Sequence, residues 1–217
     1  MPVRGRVVLE GIRFAAGVAS DPSGVVTLWK AATGGKTVGC HPFPPVPELP
    51  HAAGLLPIAL ESREDLSLFS GQVSAWLVGA DLPPFSAFPV SIPRFAFPRV
   101  PPVCLEDALE RIETLAEWVD AVSGSPASEG GLWKSIRAYA IRRSLLDALD
   151  DRFTRESAFL APEEHRDIVR AGNFLPPEAH SRLLSTILGV DPEPAAIPAE
   201  GEKSDPLIVL ARRIFAG

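Results

Sequence analysis

The residues of this sequence with the widest chemical range are its four histidines and two cysteines, since these side chains bind metals and transfer protons. Their spacing contains neither His-x-x-x-His nor Cys-x-x-Cys, short patterns that gather zinc ligands. We therefore expect no metal site and no cofactor, and we assign no catalytic residue. If an unfamiliar enzyme site exists, its first candidates are His41, His51 and Glu48. The histidines and cysteines are His41, His51, His165, His180, Cys40 and Cys104.

Two short motifs resemble phosphate-transfer sites, and both lack the context that such sites need. The first, Thr-Gly-Gly-Lys-Thr at residues 33–37, matches the end of a phosphate-binding loop, but the leading glycine of that motif would fall at Lys30. The second, His-Arg-Asp at residues 165–167, matches the catalytic-loop triplet of protein kinases, but Asn173 lies one residue beyond the metal-binding position. We interpret the first as a turn between strands and the second as a chance match.

A group of aromatic and basic residues between positions 133 and 143 could stack on bases and bind phosphates. Three aspartates follow within the next turns, and the whole chain has a net charge of -6, which argues against a general nucleic-acid binder. Nucleic acid is therefore the alternative partner, in a ribonucleoprotein or DNA-processing complex. The residues of this candidate site are Trp133, Lys134, Arg137, Arg142 and Arg143.

Two apolar segments are candidates for binding other protein subunits. Residues 83–102 combine seven prolines with four phenylalanines, and because disordered linkers are poor in aromatics, these rings should be buried against this chain or another. Residues 207–217 form an apolar tail, which either caps its own domain or docks as a tethered helix in the groove of a partner. The predicted partner-binding residues are Phe85, Phe88, Phe95, Phe97, Leu207, Leu210, Ile214 and Phe215.

The first part of the chain is predicted to form strands. Residues 6–14 and 25–30 are rich in β-branched side chains and flank a turn-like Asp-Pro-Ser-Gly sequence, so we predict a hairpin. Residues 36–40 supply a short third strand. The sequence thus predicts a small antiparallel meander.

Prolines, a capping motif and an alternating pattern predict the structure of the middle of the sequence. Prolines between residues 41 and 57 are too frequent for a helix or a central strand, so an extended chain is expected there. Ser62 and Asp65 have the spacing of a capping box, which predicts a short helix through Phe69. Alternation of residue types from 72 to 80 then predicts a strand.

The second half is predicted to be helical, with four helices and short connections as in a small bundle. The predicted helices cover residues 105–122, 132–153, 162–171 and 177–188. The fold class is therefore α+β. The predicted domains are a proline-rich antiparallel β region at 1–104, a helical bundle at 105–190, a flexible linker at 191–206 and a C-terminal tail helix at 207–217.

The composition of the sequence limits the classes of function that we expect. The sequence has no apolar signal-peptide region and no uninterrupted apolar stretch of the ~20 residues that span a bilayer, so we expect a cytoplasmic protein without membrane contact. Its scarcity of amides and methionine is typical of a thermophile or a GC-rich bacterium. Without a catalytic constellation, the sequence favours a non-enzymatic assembly or adaptor subunit of a larger complex. An enzyme of unrecognised type is the second alternative, after the nucleic-acid-associated subunit.

Overall fold

The computed structural model describes residues 3–42, 44–80, 91–98 and 101–191. Within these residues the chain divides into two compact units. Residues 33–135 form the first, which we call the sheet unit, and residues 3–32 with 136–191 form the second, which we call the helical unit. The domain boundary predicted at residue 104 lies inside the sheet unit, between its last strand and the helix that follows.

The sheet unit is built on four strands in the spatial order β2-β1-β3-β4, and all of them are parallel. The predicted antiparallel sheet is therefore wrong. The strand predicted at 36–40 and the separately predicted strand at 72–80 exist as β1 and β3, and they pair in parallel. The fold of the described chain is α+β, with eight helices and this one small sheet. The strands are β1 (Thr37–His41), β2 (Leu56–Ala59), β3 (Ala75–Gly79) and β4 (Arg94–Phe97).

Helices connect the first three strands. α3 (Glu48–Ala52) joins β1 to β2, and α4 (Arg63–Phe69) joins β2 to β3. These two crossovers run in opposite directions along the sheet. Crossovers between parallel strands are right-handed as a rule, which predicts that α3 and α4 lie on opposite faces. The first three strands are accordingly buried along nearly their whole length, whereas the edge strand β4 has two exposed positions. α5 (Leu105–Ser123) packs against α3 and β4.

The proline-rich segment after β1 is less extended than the sequence predicts. Pro47 is the N-cap residue of α3 and Pro50 lies in its first turn, where a missing N–H costs no helical hydrogen bond. The capping box predicted for α4 is confirmed. The Ser62 hydroxyl accepts from the Asp65 N–H at 3.0 Å, and the Asp65 carboxylate accepts from the Ser62 N–H at 3.2 Å.

The predicted strands at 6–14 and 25–30 are wrong, because both segments are helical in α1 (Val3–Ser20) and α2 (Pro22–Thr33). α1 packs against two later helices of the helical unit, and its buried positions Gly11, Ala15 and Val18 have helical spacing. The Asp-Pro-Ser-Gly sequence is a helix start rather than a hairpin turn. The Asp21 carboxylate accepts from the Gly24 N–H at 2.9 Å, which is the contact of an N-cap residue.

The predicted helices of the second half are confirmed. α5 ends at Gly124, whose φ of 80° is the left-handed conformation of a helix stop. The Lys36 ammonium donates to the Val122 and Ser123 carbonyls at the same end, at 2.8 and 3.2 Å. Among the helices that the structure describes, none is both long and apolar enough to cross a membrane. The remaining helices are α6 (Glu129–Arg155), α7 (Pro162–Ala171) and α8 (Pro177–Leu188).

Candidate functional site

A cavity of about 410 Å³ lies at the carboxyl edge of the sheet. Its lining includes the last residues of three strands, namely His41 of β1, residues 77–79 of β3 and Phe97 of β4. One face of α5 contributes Ala108 and Arg111. Among the described residues of the lining, the side chains other than the histidine and the arginine are apolar.

The strand order accounts for the position of this cavity. From β1 the chain passes to β2, the strand at one edge of the sheet. From β3 it passes to β4, the strand at the opposite edge. Where connections diverge in this way, they leave a crevice outside the carboxyl ends of the strands, and ligands of open parallel sheets bind there. The cavity occupies this crevice between the ends of β1 and β3.

Arg111 is held in a fixed orientation at the cavity. Its Nε–H and one Nη2–H donate to the two carboxylate oxygens of Asp107, both at 2.8 Å. The two side chains are 19% and 30% exposed, so solvent screens the pair only in part. The backbone N–H of Val103 and then Arg111 lower the pKa of Asp107, so this carboxyl is ionised at neutral pH.

His41 has a defined tautomer. Its Nδ1 lies within hydrogen-bond distance of the Leu60 carbonyl oxygen, which can only accept, so Nδ1 carries the proton. In the neutral ring, Nε2 is then the acceptor nitrogen. The half-buried imidazole of His41 lies at the carboxyl end of β1, where it lines the cavity.

Proline forms a large part of the cavity wall. The prolines come from the loop after β1 and from the segment after β4, the two connections that leave the carboxyl edge. Each has a fixed φ and no N–H group, which makes these loops stiff and poor in donors. The lining prolines are Pro42, Pro45, Pro98, Pro101 and Pro102.

The suspected enzyme residues Glu48 and His51 are joined through a buried serine. They meet Ser135, whose hydroxyl donates to the Glu48 backbone carbonyl at 2.9 Å and lies 2.8 Å from His51 Nδ1. A hydroxyl has one hydrogen, so Nδ1 must donate in the second contact. Neither of these two contacts supplies a base that could take the hydroxyl proton, and Ser135 is buried. This arrangement joins α3 to the start of α6 and has the features of a structural contact.

No metal-binding cluster appears in the part of the chain that the structure describes. Glu48 and His51 have the Glu-x-x-His spacing of di-iron bundles, but such sites need further carboxylates from other helices. Burial raises the pKa of the Cys40 thiol far above its ordinary value, which keeps it protonated. Cys104 is exposed at the N-terminus of α5.

Two of the predicted partner-binding residues can be located. Phe95 and Phe97 lie half-buried on β4, and the Phe95 ring is 5.5 Å from the Trp118 ring of α5. Phe97 also lines the cavity. Both rings therefore pack on this chain, and their role toward a partner stays a prediction. The other predicted contact residues lie outside the described residues: Phe85, Phe88, Leu207, Leu210, Ile214 and Phe215.

The predicted nucleic-acid residues all lie on α6. Lys134, Arg137 and Arg143 are exposed, Trp133 is half-buried, and Arg142 lies over the Tyr139 ring at 5.8 Å. At about 100° per residue, the spacing of Lys134 and Arg143 puts them on opposite sides of a helix. The cations therefore do not form one stripe, and the nucleic-acid role stays a prediction.

The sequence reasoning missed the cavity because it missed the sheet that forms it. Arg111 was part of a predicted helix without a function, and His41 was considered only as a metal or acid–base residue. The usable signal was the proline-rich segment directly after the short apolar strand at 36–40. Loops at the carboxyl ends of parallel strands carry the ligand contacts. A sequence analysis that assigned the strand at 36–40 to a parallel sheet would therefore identify the following proline-rich segment as a candidate binding loop.

A scan against protein-family models gives no match to this chain, and a search of curated proteins gives none either.

Proposed function

We propose that the sheet unit binds a small organic ligand in the cavity at the carboxyl edge of its sheet. The observation that supports this proposal is the coincidence of a well-formed cavity with the crevice between β1 and β3, where the strand order reverses. Small-molecule sites are concave, mostly apolar and equipped with a few convergent polar groups. The described residues of the lining have that character, with His41 and Arg111 as their polar side chains.

The size of the cavity agrees with such a ligand. Its volume of about 410 Å³ lies within the range of roughly 300–1,000 Å³ that is common for small-molecule sites. The walls come from strand ends, from α5 and from proline-rich loops, so the cavity exists before a ligand enters. A preformed site loses little binding energy to ordering of loops.

The test uses anilinonaphthalene sulfonate, a dye with an apolar ring system and one sulfonate group, whose fluorescence rises when its rings leave water. We expect saturable binding of one dye molecule per chain. Ala108→Trp should abolish it, because Ala108 is buried on the cavity-facing side of α5 and an indole there would fill the cavity. The matched control is Ala121→Trp, the same change at an exposed position of the same helix, and it should bind the dye as the wild type does.

Two results would contradict the proposal. One is dye binding that is equal in Ala108→Trp and wild type, and the other is an absence of saturable binding in the wild type. Circular dichroism separates occlusion from misfolding, and Ile112→Ala supplies a second variant. It enlarges the cavity instead of filling it, so it should retain dye binding.

An assembly role is the second candidate. Val103 is 91% exposed, and it stands in a continuous exposed run from Pro101 to Leu105 beside the cavity. Exposed apolar runs of this kind are common at protein interfaces. Light scattering of the full chain, purified gently from its host, should then show a protein complex that Val103→Lys dissociates. A clean monomer would argue against this role. The nucleic-acid alternative and the cytoplasmic location stay predictions.

A further inference from the structure

Strand β4 forms one edge of the sheet, and that edge faces solvent. Among the strands that the structure describes, β4 pairs with β3 and lies at the end of the spatial order. Two of its four positions, Arg94 and Ala96, are exposed. The strand at the opposite edge, β2, is buried at all four positions. The accessible edge of the described sheet is therefore the outer side of β4.

The hydrogen bonds between β4 and β3 show which backbone groups of β4 face outward. The Trp76 N–H donates to the Pro93 carbonyl at 2.8 Å. Backbone groups of successive residues in a strand point to opposite sides, so every second residue from Pro93 onward faces β3. The N–H and C=O groups of Arg94 and Ala96 consequently point away from β3, and no hydrogen bond joins them to another described residue. An edge of this kind is a template for a further strand.

The outer edge of β4 is complementary to itself. When a two-fold axis at Phe95 relates two copies, their β4 strands run antiparallel, and Arg94 of each copy lies opposite Ala96 of the other. Each of these two residue pairs can exchange two hydrogen bonds, so every outward group of both residues is paired. Each arginine then lies opposite a small neutral residue.

The neighbouring two-fold registers are less favourable. A shift in one direction places the two copies of Arg94 opposite each other, and like charges in that position are destabilising. A shift in the other direction places Arg94 opposite Pro98, which has no N–H group to donate. The arrangement of side chains along the edge therefore selects the register that is centred on Phe95.

Aromatic rings beside the edge add apolar contact to this pairing. The half-buried Phe95 ring lies 5.5 Å from the Trp118 ring of α5 on one face of the sheet, and the two-fold axis places the two copies of Phe95 side by side on that face. The paired strands are four residues long, so the contact buries on the order of 500 Å², less than the roughly 1,200 Å² at which stable interfaces begin. This area fits a weak and reversible association.

We infer that the protein forms a weak two-fold dimer, in which the outer edges of two β4 strands pair and join the two sheets into one. The molecule that occupies the edge is thus a second copy of this chain. The inference does not depend on ligand binding in the cavity, because the pairing uses the outward groups of Arg94 and Ala96. It also places Phe95, which the sequence predicts to bind a partner, at the centre of the interface.

The first experiment is sedimentation equilibrium of the full chain at about 5–500 µM. We expect the average mass to rise reversibly from monomer toward dimer, with a Kd of roughly 10–500 µM. Ala96→Pro removes an outward N–H that makes no bond to β3, so it should keep the protein monomeric and leave its circular dichroism unchanged. Ala96→Ser keeps this N–H and is the matched control, which should dimerise as the wild type does.

The second experiment checks the register by disulfide cross-linking. All variants carry Cys104→Ser, which removes an exposed native thiol. Phe95→Cys places one thiol of each copy opposite the other across the axis, at a distance that a disulfide can span. Air oxidation should link these copies at least about tenfold faster than it links Phe97→Cys, whose two thiols lie on the same face but several positions apart along the paired strands.

Four results would overturn the inference. The first is a monomer mass at every concentration, and the second is a dimer that Ala96→Pro leaves intact. The third is a different chain that copurifies with the wild type and is lost from Ala96→Pro, since another protein would then occupy the edge. The fourth is equal cross-linking of Phe95→Cys and Phe97→Cys, which would contradict a two-fold axis at Phe95.

Discussion

Acid should destabilise the helical unit through one histidine of its core. His180 on α8 is completely buried, and its Nε2–H donates to the Ile168 carbonyl near the end of α7, at 2.9 Å. Its Nδ1 has no hydrogen-bond partner among the described residues. Burial, and then the positive charge of Arg142, lower the pKa of His180 from its ordinary value of 6.5 to about 3. The neutral form of the ring therefore predominates in the folded protein at every pH above that value.

The size of the effect follows from the difference between the two pKa values. Between them the unfolded chain binds a proton that the folded chain does not, so the free energy of unfolding falls as the pH falls. The stability that the neutral ring contributes is complete above the unfolded pKa and is lost progressively below it. From pH 7 to pH 5 the loss should be about 2 kcal/mol. Most carboxyl groups stay ionised over this range, so the histidine dominates the change.

The assay is urea unfolding followed by circular dichroism at about pH 7 and pH 5. His180→Gln keeps an N–H donor for the Ile168 carbonyl but has no group that titrates in this range, so its unfolding midpoint should respond much less to acid. His165→Gln serves as the control, because it removes a half-buried histidine from α7 and leaves His180 in place. The reasoning is refuted if the wild-type midpoint is the same at both pH values, or if His180→Gln loses as much stability as the wild type.

Two further predictions concern the sheet unit, and urea unfolding checks both. Gly39→Ala should cost about 1–3 kcal/mol, because a Cβ at Gly39 of β1 would lie 2.7 Å from the Trp76 ring of β3. Gly71→Ala, which has open space around its Cβ, is the control and should change stability by less than about 0.5 kcal/mol. Ser135→Ala should also cost about 1–3 kcal/mol, since it removes the hydroxyl that joins the Glu48 carbonyl to His51. Equal midpoints for wild type and either variant would contradict the corresponding prediction.

Helices with strong end signals could be predicted from the sequence almost to the residue. α7 and α8 begin at a proline in the first turn, and α8 ends before Gly189, whose φ of 68° is the left-handed helix stop. The capping box of α4 likewise combines two local side-chain contacts. Signals of this kind act within four residues, so no knowledge of the tertiary fold is needed to interpret them.

α1 and α2 could not be recognised by the same reasoning. Their β-branched content favours strands, and this preference is weaker than the packing of a helical face against neighbouring helices. In α1, the absence of a side chain at Gly11 allows α8 to approach closely, since a Cβ there would lie 3.1 Å from Ile187. That partner is more than 170 residues away in the sequence. The local sequence pattern of α1 therefore gives no information about this contact.

The parallel sheet was missed for a related reason. β1 and β3 were found as strands, but the direction of pairing depends on the crossover between them. The crossover from β1 to β2 contains α3, a helix of five residues in a segment where proline density favours an extended chain. Without that helix, the short strands resemble an antiparallel meander. The cavity exists only because the carboxyl ends of β1, β3 and β4 lie at one edge of the sheet. It could therefore not be predicted without the parallel pairing.

The proline content of the first half, first interpreted as a partner-binding feature, has a second explanation in the sheet unit. Fifteen of the 23 prolines lie in the first 104 residues, and five prolines line the cavity from the two loops that leave the carboxyl edge. A fixed φ reduces the freedom of these loops in the unfolded chain, so holding them in place costs less conformational entropy. Stiffness therefore favours a preformed cavity, so the prolines of these two loops help to account for its shape.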